Sequence, residues 1–461
     1  MILEPFHDES IAQFAYLIGC RTTGEALVVD PTIDIQPYID AAAAEGLRIT
    51  GVVETHIHAD YVSGGRALAL AEGATIHVSG EGGPDWQYAF VGEPRVTVLR
   101  DGDVIECGRL RLRAVHTPGH TPEHLMFVLT DTSVSPEPRG AFTGDFLFVG
   151  DVGRPDLLET AAGQAGTMDV GARQLFRSVH ALAPLPDHLV IWPGHGSGSL
   201  CGKSLSAVPV SSLGYERHTN WALRQMAEDE FVASVIADQP DPPMYFAEMK
   251  RVNTSGAPAW HAAPLPPSMG AEDLEAVVAA GSLVVDVRAD GVHASLPGAI
   301  VVPLGRGFSM WAGAVLPADV PLVLLADHQP AAEAARRTLA LIGRQTAPHW
   351  ASSQALEEYR LRGGRMAVVP TAEQPDGRQR IVDVRTTAEW RAGHLEAAVH
   401  APLARLPEHV AAFDRATPLL VYCQAGVRAA VAATTLRRMG FDVTRLEGGL
   451  DGYDERQQPP G

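Results

Sequence analysis

Short apolar runs alternate with alanine-rich stretches through the N-terminal half of the chain. Residues 26–30 and 49–54 each have the length and the β-branched content of a buried strand. Residues 111–115 alternate polar and apolar positions, which predicts a strand with one face in a core. Residues 39–45 are rich in alanine and precede Gly46, which predicts a helix that ends there. The pattern indicates an α/β fold.

Polar clusters follow four predicted strands, at residues 49–54, 111–115, 141–143 and 188–192. The first cluster, residues 55–61, holds two histidines and an aspartate, and the others are residues 116–124, 144–145 and 193–196. Loops that follow strands can converge at one rim of a sheet, where imidazole and carboxylate groups from several loops form divalent-metal sites. The candidate ligands in these clusters are His56, His58, His120, Asp145 and His195.

Length and charge limit the classes of function. A chain of 461 residues exceeds one hydrophobic core and predicts roughly two to four domains. The net charge of −19 disfavours binding to phosphate backbones, so we expect no nucleic-acid partner and no role in RNA processing. It does not exclude an anionic small substrate, because local basic residues can dominate a pocket.

Cysteine usage and the absence of apolar segments bear on the compartment. The four cysteines form no CxxC pair and are too few for a disulfide framework in a chain of this length. The N-terminus resembles no signal peptide, and no apolar run has the length of a membrane helix. We therefore expect a soluble cytoplasmic protein. The cysteines are Cys20, Cys107, Cys201 and Cys423.

The order of the polar motifs resembles the metallo-β-lactamase superfamily. Thr-His-x-His-x-Asp at 55–60 is followed by Thr-Pro-Gly-His-Thr at 117–121, Thr-Gly-Asp at 143–145 and Pro-Gly-His at 193–195. The resemblance implies a four-layered αβ/βα sandwich, which we assign to residues 1–245. Within the superfamily, the first two motifs look most like persulfide dioxygenases and their glyoxalase II relatives.

One departure bears on the metal. Two-metal relatives have histidine where this chain has Tyr61, and a phenol is a poor substitute as a second-metal ligand. A single metal held by His56, His120 and Asp145 remains, and two histidines with one carboxylate suit mononuclear non-haem Fe(II). The resemblance implies that the neighbouring polar residues orient these ligands instead of binding the metal. Those residues are His58, Asp60 and His195.

Two further residues near these loops are candidates for chemistry. Cys201 lies in a Gly/Ser-rich segment after the Pro-Gly-His motif, where Lys203 would favour a thiolate. The alternative is a small buried hydrophobic residue, which is the usual role of a free cysteine. Arg154 follows the loop of Asp145 and is a candidate to hold a substrate carboxylate or phosphate, although a surface arginine is an equal alternative.

The C-terminal half contains an internal repeat. A proline-rich linker over residues 246–265 is predicted to precede it. Residues 283–288 match residues 380–385, and residues 321–326 match residues 418–423, both at an offset of 97. Such a repeat predicts two copies of one α/β fold. We place the copies at residues 266–355 and 370–461.

The second copy has a cysteine at the end of a predicted strand, before a loop that opens a helix. Backbone N–H groups and a helix N-terminus favour a thiolate at Cys423, and Arg428 adds positive charge. This copy resembles the rhodanese (sulfurtransferase) domain, with Glu389-Trp390, Gly393-His394 and the loop 423–428 as its signatures. In the first copy Ala326 replaces the cysteine, so we expect an inactive spacer or docking domain.

Together the parts resemble persulfide dioxygenase–rhodanese fusion proteins of sulfide detoxification. The resemblance implies oxidation of a small-thiol persulfide (glutathione, coenzyme A or similar) by O2 to sulfite, then thiosulfate formation through Cys423. By family analogy we expect a homo-oligomer. Two alternatives remain open: a glyoxalase-II-like thioester hydrolase fused to a sulfurtransferase, and a non-oxidative sulfur carrier with a structural metal. The carrier would require four protein ligands, which His58 would complete.

Overall fold

The computed structural model describes residues 1–160, 166–260, 264–344, 347 and 349–457. The chain forms two compact units, Met1–His261 and Ala262–Gly461. Across these described ranges no helix combines the length and apolarity needed to cross a membrane.

Two six-stranded sheets form the centre of the first unit. The first contains β1 (Ile2–Asp8), β2 (Gln13–Cys20), β3 (Glu25–Val29), β4 (Arg48–Val53), β5 (Thr75–Ser79) and β6 (Val96–Leu99), in that order. The second contains β7 (Val104–Cys107), β8 (Leu110–His116), β9 (Leu125–Asp131), β10 (Gly140–Gly144), β11 (Val190–Pro193) and β12 (Ser211–Ser212), also in sequence order. Strands β3 to β6 are parallel, as are β10 and β11.

Three hydrophobic clusters produce four layers. One cluster fills the space between the two sheets, with Phe127 and Phe142 at its centre. A second lies between the outer face of the first sheet and the helices α1 (Gln36–Ala44) and α2 (Gly65–Glu72). A third covers the outer face of the second sheet. The αβ/βα sandwich is therefore confirmed. The remaining helices of the first unit are α3 (Leu157–Thr160), α4 (Thr167–His180), α5 (Leu213–Thr219), α6 (Glu228–Ile236) and α7 (Tyr245–Ser255).

Helix α7 occupies part of the segment expected as a linker. The proline residues that suggested an extended connector flank this helix and do not interrupt it. Tyr245, Phe246, Met249 and Asn253 are its buried residues, at the i, i+4 and i+8 spacing of one helical face. The predicted connector over 246–265 is thus helical to Ser255, and the helix packs onto the first unit.

The second unit contains two parallel sheets with helices between the strands. The first copy contains α8 (Ala271–Ala279), β13 (Leu283–Asp286), β14 (Ile300–Val301), α9 (Phe308–Val315), β15 (Leu322–Ala326), α10 (Gln329–Leu341), β16 (His349–Ser352) and α11 (Ser353–Leu361), with strand order β14–β13–β15–β16. The second contains β17 (Thr371–Ala372), β18 (Arg380–Asp383), α12 (Thr387–Ala392), β19 (Val399–His400), α13 (Leu406–Val410), β20 (Leu419–Tyr422), α14 (Val427–Arg438), β21 (Val443–Leu446) and α15 (Gly449–Gln457), with strand order β17–β21–β20–β18–β19.

Strand register shows that the two copies repeat one fold. In the first copy Leu283 pairs with Leu322, and in the second copy Arg380 pairs with Leu419. The remaining three pairs of each ladder keep the same offset of 97 that the sequence shows. The two copies therefore share the pairing of their strands as well as their apolar sequence motifs.

Candidate functional site

Three loops of the first unit bring His56, His120 and Asp145 together. One ligand atom from each lies within 4.8 Å of the others, and all three side chains are buried. His56 follows β4, His120 lies between β8 and β9, and Asp145 follows β10 directly. These are three of the strand ends that the sequence singled out.

In both histidines of the triad, the ring nitrogen Nδ1 is already hydrogen-bonded. The hydroxyl of Thr55 donates to Asp30 (2.8 Å), so its oxygen accepts from Nδ1 of His56 (2.9 Å). Nδ1 of His120 donates to the carbonyl oxygen of Arg154 (2.9 Å). In both rings Nε2 is therefore left with its lone pair, the form that binds a metal.

The free atoms of the triad face one another. Among the described residues, Nε2 of His56 and Oδ2 of Asp145 have no hydrogen-bond partner, and Nε2 of His120 is 3.6 Å from that same oxygen. Buried polar atoms without partners are costly, so two of them beside Nε2 of His120 indicate a site for a cation. Burial lowers the pKa of His56 and of His120 below the usual value, which keeps both imidazoles neutral.

His195 connects the triad to a second carboxylate. Its Nδ1 lies 2.8 Å from Oδ1 of Asp145, and its Nε2 lies 2.8 Å from Oδ2 of Asp60. Burial opposes protonation of His195, but the two carboxylates outweigh it and raise the pKa to about 10. Burial alone would raise the pKa of Asp145, yet His195 and the neighbouring histidines hold it well below its usual range. Asp145 is therefore an ionised, oriented carboxylate.

His58 and Tyr61 are directed to a different set of partners. Nε2 of His58 lies 3.2 Å from Oδ1 of Asp30 and 3.4 Å from Oε2 of Glu54. The hydroxyl of Tyr61 is 3.3 Å from the carbonyl oxygen of Asp30 and accepts from Gln13. Burial raises the pKa of Tyr61 well above its usual value, so the phenol stays neutral. His58 is grouped with Asp30 and Glu54 and not with the ligand atoms of the triad, so this position does not favour the fourth-ligand role considered for it.

Arg154 does not occupy the position expected of a substrate-binding residue. The side chain is fully buried and forms a bidentate ion pair with Asp156, at 2.7 Å for both contacts. It also donates to the carbonyl oxygen of Leu200 (3.0 Å), while its own carbonyl oxygen accepts from His120. We correct the sequence-based expectation: Arg154 stabilises the loops behind His120 and does not face a substrate anion.

Cys201 lies close to the metal loops but in a different environment from the one expected. It is buried, within 4.8 Å of ligand atoms of Asp60 and His195. Burial raises the pKa of its thiol well above the usual value. Lys203 donates to the carbonyl oxygen of Ala237 (3.1 Å) and lies over the ring of Trp221, so its charge is used elsewhere. The expectation that Lys203 favours a Cys201 thiolate is therefore wrong.

Several residues that support the loops escaped the sequence analysis. Glu123 accepts from the backbone N–H of Ile57 (2.8 Å), and burial raises its pKa to about 7. His124 accepts from the backbone N–H of Asp145 (3.1 Å) and contacts the hydroxyl of Thr117 (2.8 Å). Both lie in the cluster 116–124, so their position after a strand was the available signal. The Thr-Pro-Gly-His-Thr motif singled out His120 and gave no role to either of them.

Asn253 of helix α7 fastens the first histidine loop. Its amide nitrogen donates to the carbonyl oxygens of His58 (2.8 Å) and Tyr61 (2.7 Å), and its amide oxygen accepts from the N–H of Ser63 (2.9 Å). The side chain is buried, and about 190 residues separate it from its partners. No local motif could have predicted these contacts.

We expect Asn253→Ala to loosen the loop that contains His56. Three backbone groups would lose their hydrogen-bond partner. Each loss lowers the free energy of unfolding by about 1–3 kcal/mol unless a water molecule replaces the partner. Thermal unfolding of the first unit should begin several degrees lower, and metal retention should fall. Ser255→Ala, an exposed change on the same helix, is the control. Equal metal retention in the two variants would contradict the role of Asn253.

The second unit places Cys423 in a cradle of backbone N–H groups. Its sulfur accepts from Gly426 (3.1 Å) and Ala429 (3.4 Å) at the start of α14. Gly426 has a φ of 94°, which favours glycine at this turn. A Cβ on Gly449 would lie 2.6 Å from the carbonyl oxygen of Cys423, so the chain packs closely behind the loop. Beside the loop lies a cavity of about 410 Å³, lined by Arg385, Glu389, Ala392, Gly393, His394, Leu395, Gln424, Leu450 and Asp454.

Arg428 has a partner that the sequence analysis did not assign. Its guanidinium forms a bidentate ion pair with Glu389, at 2.6 and 2.7 Å. This pair lowers the pKa of Glu389 to about 2. The positive charge expected beside Cys423 is therefore present, but it is balanced and oriented by Glu389 from helix α12.

The corresponding position in the first copy contains no nucleophile. Ala326 ends β15, and the side chain of His328 caps helix α10 by accepting from the N–H of Ala331 (3.2 Å). Asp327 accepts from the hydroxyl of Ser353 (2.6 Å). The loop is held by polar side chains where the second copy has its N–H cradle.

Two family models match parts of the chain, one in each unit. Residues 11–195 match the metallo-beta-lactamase superfamily, and residues 371–456 match the rhodanese-like domain. A probable metallo-hydrolase of Burkholderia pseudomallei is 30% identical over 261 residues, covering 50% of this chain and 84% of that protein. The mitochondrial persulfide dioxygenase ETHE1 of Bos taurus is 31% identical over 237 residues, covering 50% of this chain and 79% of that protein.

One solved structure resembles more than the first unit. A crystal structure titled metallo-beta-lactamase, from Staphylococcus aureus, is 38% identical with a TM-score of 0.68. The match covers 76% of this chain and 99% of that one. Because 76% of 461 residues exceeds the first unit of Met1–His261, the similarity extends into the second unit.

Proposed function

The chain belongs to the metallo-β-lactamase superfamily and ends in a rhodanese-like domain, and from this premise we propose that it is a persulfide dioxygenase joined to a sulfurtransferase. The proposed first reaction converts R-S-SH, O2 and water into R-SH and sulfite with two protons. The terminal sulfur is oxidised and O2 accepts four electrons. The proposed second reaction transfers sulfane sulfur from Cys423-S-SH to sulfite, which gives thiosulfate and the free Cys423 thiol. Glutathione and coenzyme A are candidate carriers, and sulfide detoxification in the cytoplasm is the proposed setting.

The observation on which the proposal rests is the convergence of three ligand atoms in the triad, two of which have no hydrogen-bond partner among the described residues. Nε2 of His56, Nε2 of His120 and Oδ2 of Asp145 would hold one metal ion, which we propose to be mononuclear Fe(II). Two histidines with one carboxylate and open positions are typical of non-haem iron oxygenases, and bound Fe(II) would supply the activation of O2. The similarity to a persulfide dioxygenase supports the same substrate class.

The protein residues around the triad have defined tasks in this proposal. Thr55 and the Arg154 carbonyl oxygen fix the rings of His56 and His120, and His195 fixes the Asp145 carboxylate. Such outer partners set ligand orientation, and their loss typically costs about 10–100-fold in metal affinity or activity. Burial of the triad excludes bulk water from the reacting sulfur.

In the second unit the chain supplies both the nucleophile and its stabilisation. The N–H groups of Gly426 and Ala429 would stabilise a Cys423 thiolate and the persulfide anion that follows it. Arg428, oriented by Glu389, would hold the incoming sulfite dianion near the sulfane sulfur. We propose that the first copy has a docking role, because it has no thiol at the equivalent position.

A thioester hydrolase is the second candidate function. Asp60, His195 and Cys201 form another group whose ligand atoms lie within 4.8 Å of one another, and a relative named as a metallo-hydrolase covers the same half. A hydrolase of this kind would use two metals and a bridging hydroxide. The engaged, neutral phenol of Tyr61 in place of a histidine favours the single-metal alternative.

The deciding experiment is oxygen uptake by the iron-loaded protein when a small-thiol persulfide is added. We expect rapid uptake that depends on the persulfide, with about one iron per chain by metal analysis. The matched assay offers the same protein a thioester of the same thiol. Thioester cleavage with two metals per chain and no oxygen uptake would replace the dioxygenase by the hydrolase. If the protein shows neither oxygen uptake nor thioester cleavage, the remaining alternative is a sulfur carrier with a structural metal.

A further inference from the structure

The second unit contains a cleft that none of the proposed chemistry uses. It has a volume of about 380 Å³, within the roughly 300–1,000 Å³ typical of small-molecule sites. Residues 291–301 of the first copy, the segment 365–369 between the copies and the end of helix α14 form its walls. It shares no lining residue with the cavity beside Cys423. We call it the arginine cleft, after Arg365, Arg437 and Arg438.

Charge distinguishes this cleft from the rest of the protein. Arg365, Arg437 and Arg438 line it together with His293, and its described lining contains no aspartate or glutamate. The whole chain has a net charge of −19, so three exposed arginines in one concave site without a lining carboxylate are unusual for it. Arg437 donates to the carbonyl oxygen of Val443 (3.3 Å) through one nitrogen only. Guanidinium groups that line one cleft are suited to phosphate and carboxylate anions, which they bind through paired N–H groups.

The walls of the cleft are fixed to one another. Arg438 donates to the carbonyl oxygens of Gly298 (2.7 Å) and Gly281 (3.2 Å), which ties the second copy to the first. The N–H of Val301 donates to the hydroxyl of Thr434 (3.1 Å). Ser295 and Ala367 exchange two backbone hydrogen bonds, which attach the segment between the copies to the first copy. The site is therefore formed before a ligand arrives, which lowers the entropy cost of binding.

The lining also has an apolar part. Val368 is exposed and Met366 half-buried at the cleft, whereas Leu296, Val301 and Val369 line it with little exposed surface. A simple oxyanion would fill a small fraction of the volume and would leave the apolar surface of Val368 and Met366 without a partner. The combination of apolar wall and arginines is suited to an organic molecule with more than one negative group.

We propose that the arginine cleft binds a small organic polyanion at the junction of the two rhodanese-like copies. Arg365 and Arg437 contact its anionic groups, and Arg438 positions the wall between the copies. Either a phosphorylated molecule or a polycarboxylate would supply this chemistry. The site gives the cysteine-less copy a function in ligand binding. The inference does not depend on the oxygen chemistry, because the cleft shares no residue with either reacting centre.

Calorimetry with two probes tests the proposal. The protein used is the whole chain with Cys423→Ser, so that the thiol cannot capture a probe covalently. Adenosine 3′,5′-bisphosphate represents the phosphorylated source and S-methylglutathione the carboxylate source. We expect one molecule of at least one probe to bind per chain, with affinity that falls as salt rises. Arg365→Gln and Arg437→Gln should each weaken binding about tenfold or more, as expected for loss of a charge-assisted hydrogen bond.

Arg362→Gln is the matched control, because this exposed arginine precedes the lining segment and pairs with Glu272 (3.0 Å) outside the cleft. It should change the affinity less than twofold. Thermal unfolding gives a second measurement, since a ligand of the folded state raises the midpoint of the second unit. No binding of either probe at millimolar concentration would overturn the proposal. So would equal weakening by the control and the two lining variants.

Discussion

His120→Ala is expected to abolish metal binding and persulfide-dependent oxygen uptake while leaving sulfur transfer at Cys423 intact. His120 supplies one of three converging ligand atoms, and its ring is anchored by the carbonyl oxygen of Arg154. Removal of the ring leaves the other two ligands without the geometry that three loops impose. The loss should exceed the roughly 10–100-fold effect of removing an outer partner. Iron content, oxygen uptake and sulfur transfer from thiosulfate would be measured on one preparation.

His180→Ala is the control for this change. His180 is exposed at the end of helix α4 and bonds only locally, to the carbonyl oxygen of Phe176 (2.8 Å). We expect normal iron content and normal oxygen uptake in this variant. Oxygen uptake retained by His120→Ala would refute the ligand assignment, whereas loss of sulfur transfer as well would show that the two units are coupled in stability.

The sequence predicted the parts of the site that lie directly after strands. His56, Asp145 and His195 follow β4, β10 and β11, and a strand end fixes both position and direction of the following residue. The rhodanese-like loop was predictable for the same reason, since Cys423 follows β20. The offset of 97 predicted two copies of one fold, and the structure adds that β13 on β15 and β18 on β20 pair with that same offset.

What the sequence did not predict depends on burial and on distant contacts. Arg154 has the composition of an anion-binding residue, but its partner Asp156 is two residues away and both are enclosed by the fold. The ammonium group of Lys203 donates to the carbonyl oxygen of Ser234 in α6, a contact that a local sequence pattern cannot show. Asn253 reaches the histidine loop from a helix whose flanking prolines suggested a connector. Lys203 and Asn253 needed the tertiary structure because their partners are distant in sequence, and Arg154 needed it because burial decides its role.

Cys423→Ser is expected to keep persulfide-dependent oxygen uptake but change the product from thiosulfate to sulfite. A serine hydroxyl can accept hydrogen bonds from the same N–H groups of Gly426 and Ala429, so the loop should keep its conformation. The hydroxyl cannot carry sulfane sulfur, so sulfite from the first unit would have no sulfur donor and would remain as the product. Ion chromatography of both anions, alongside oxygen uptake, measures the change. Sulfur transfer from thiosulfate should fall by several orders of magnitude.

Cys201→Ser distinguishes the two thiols that lie near reacting centres. Burial raises the pKa of Cys201 well above its usual value, so it is a thiol and a weak nucleophile compared with a cysteine in an N–H cradle. We therefore expect Cys201→Ser to retain thiosulfate as the product, in contrast to Cys423→Ser. Thiosulfate unchanged in Cys423→Ser and lost in Cys201→Ser would move the sulfur carrier to the metal loops. In that case Asp60 and His195, which lie beside Cys201, would be the groups that activate it.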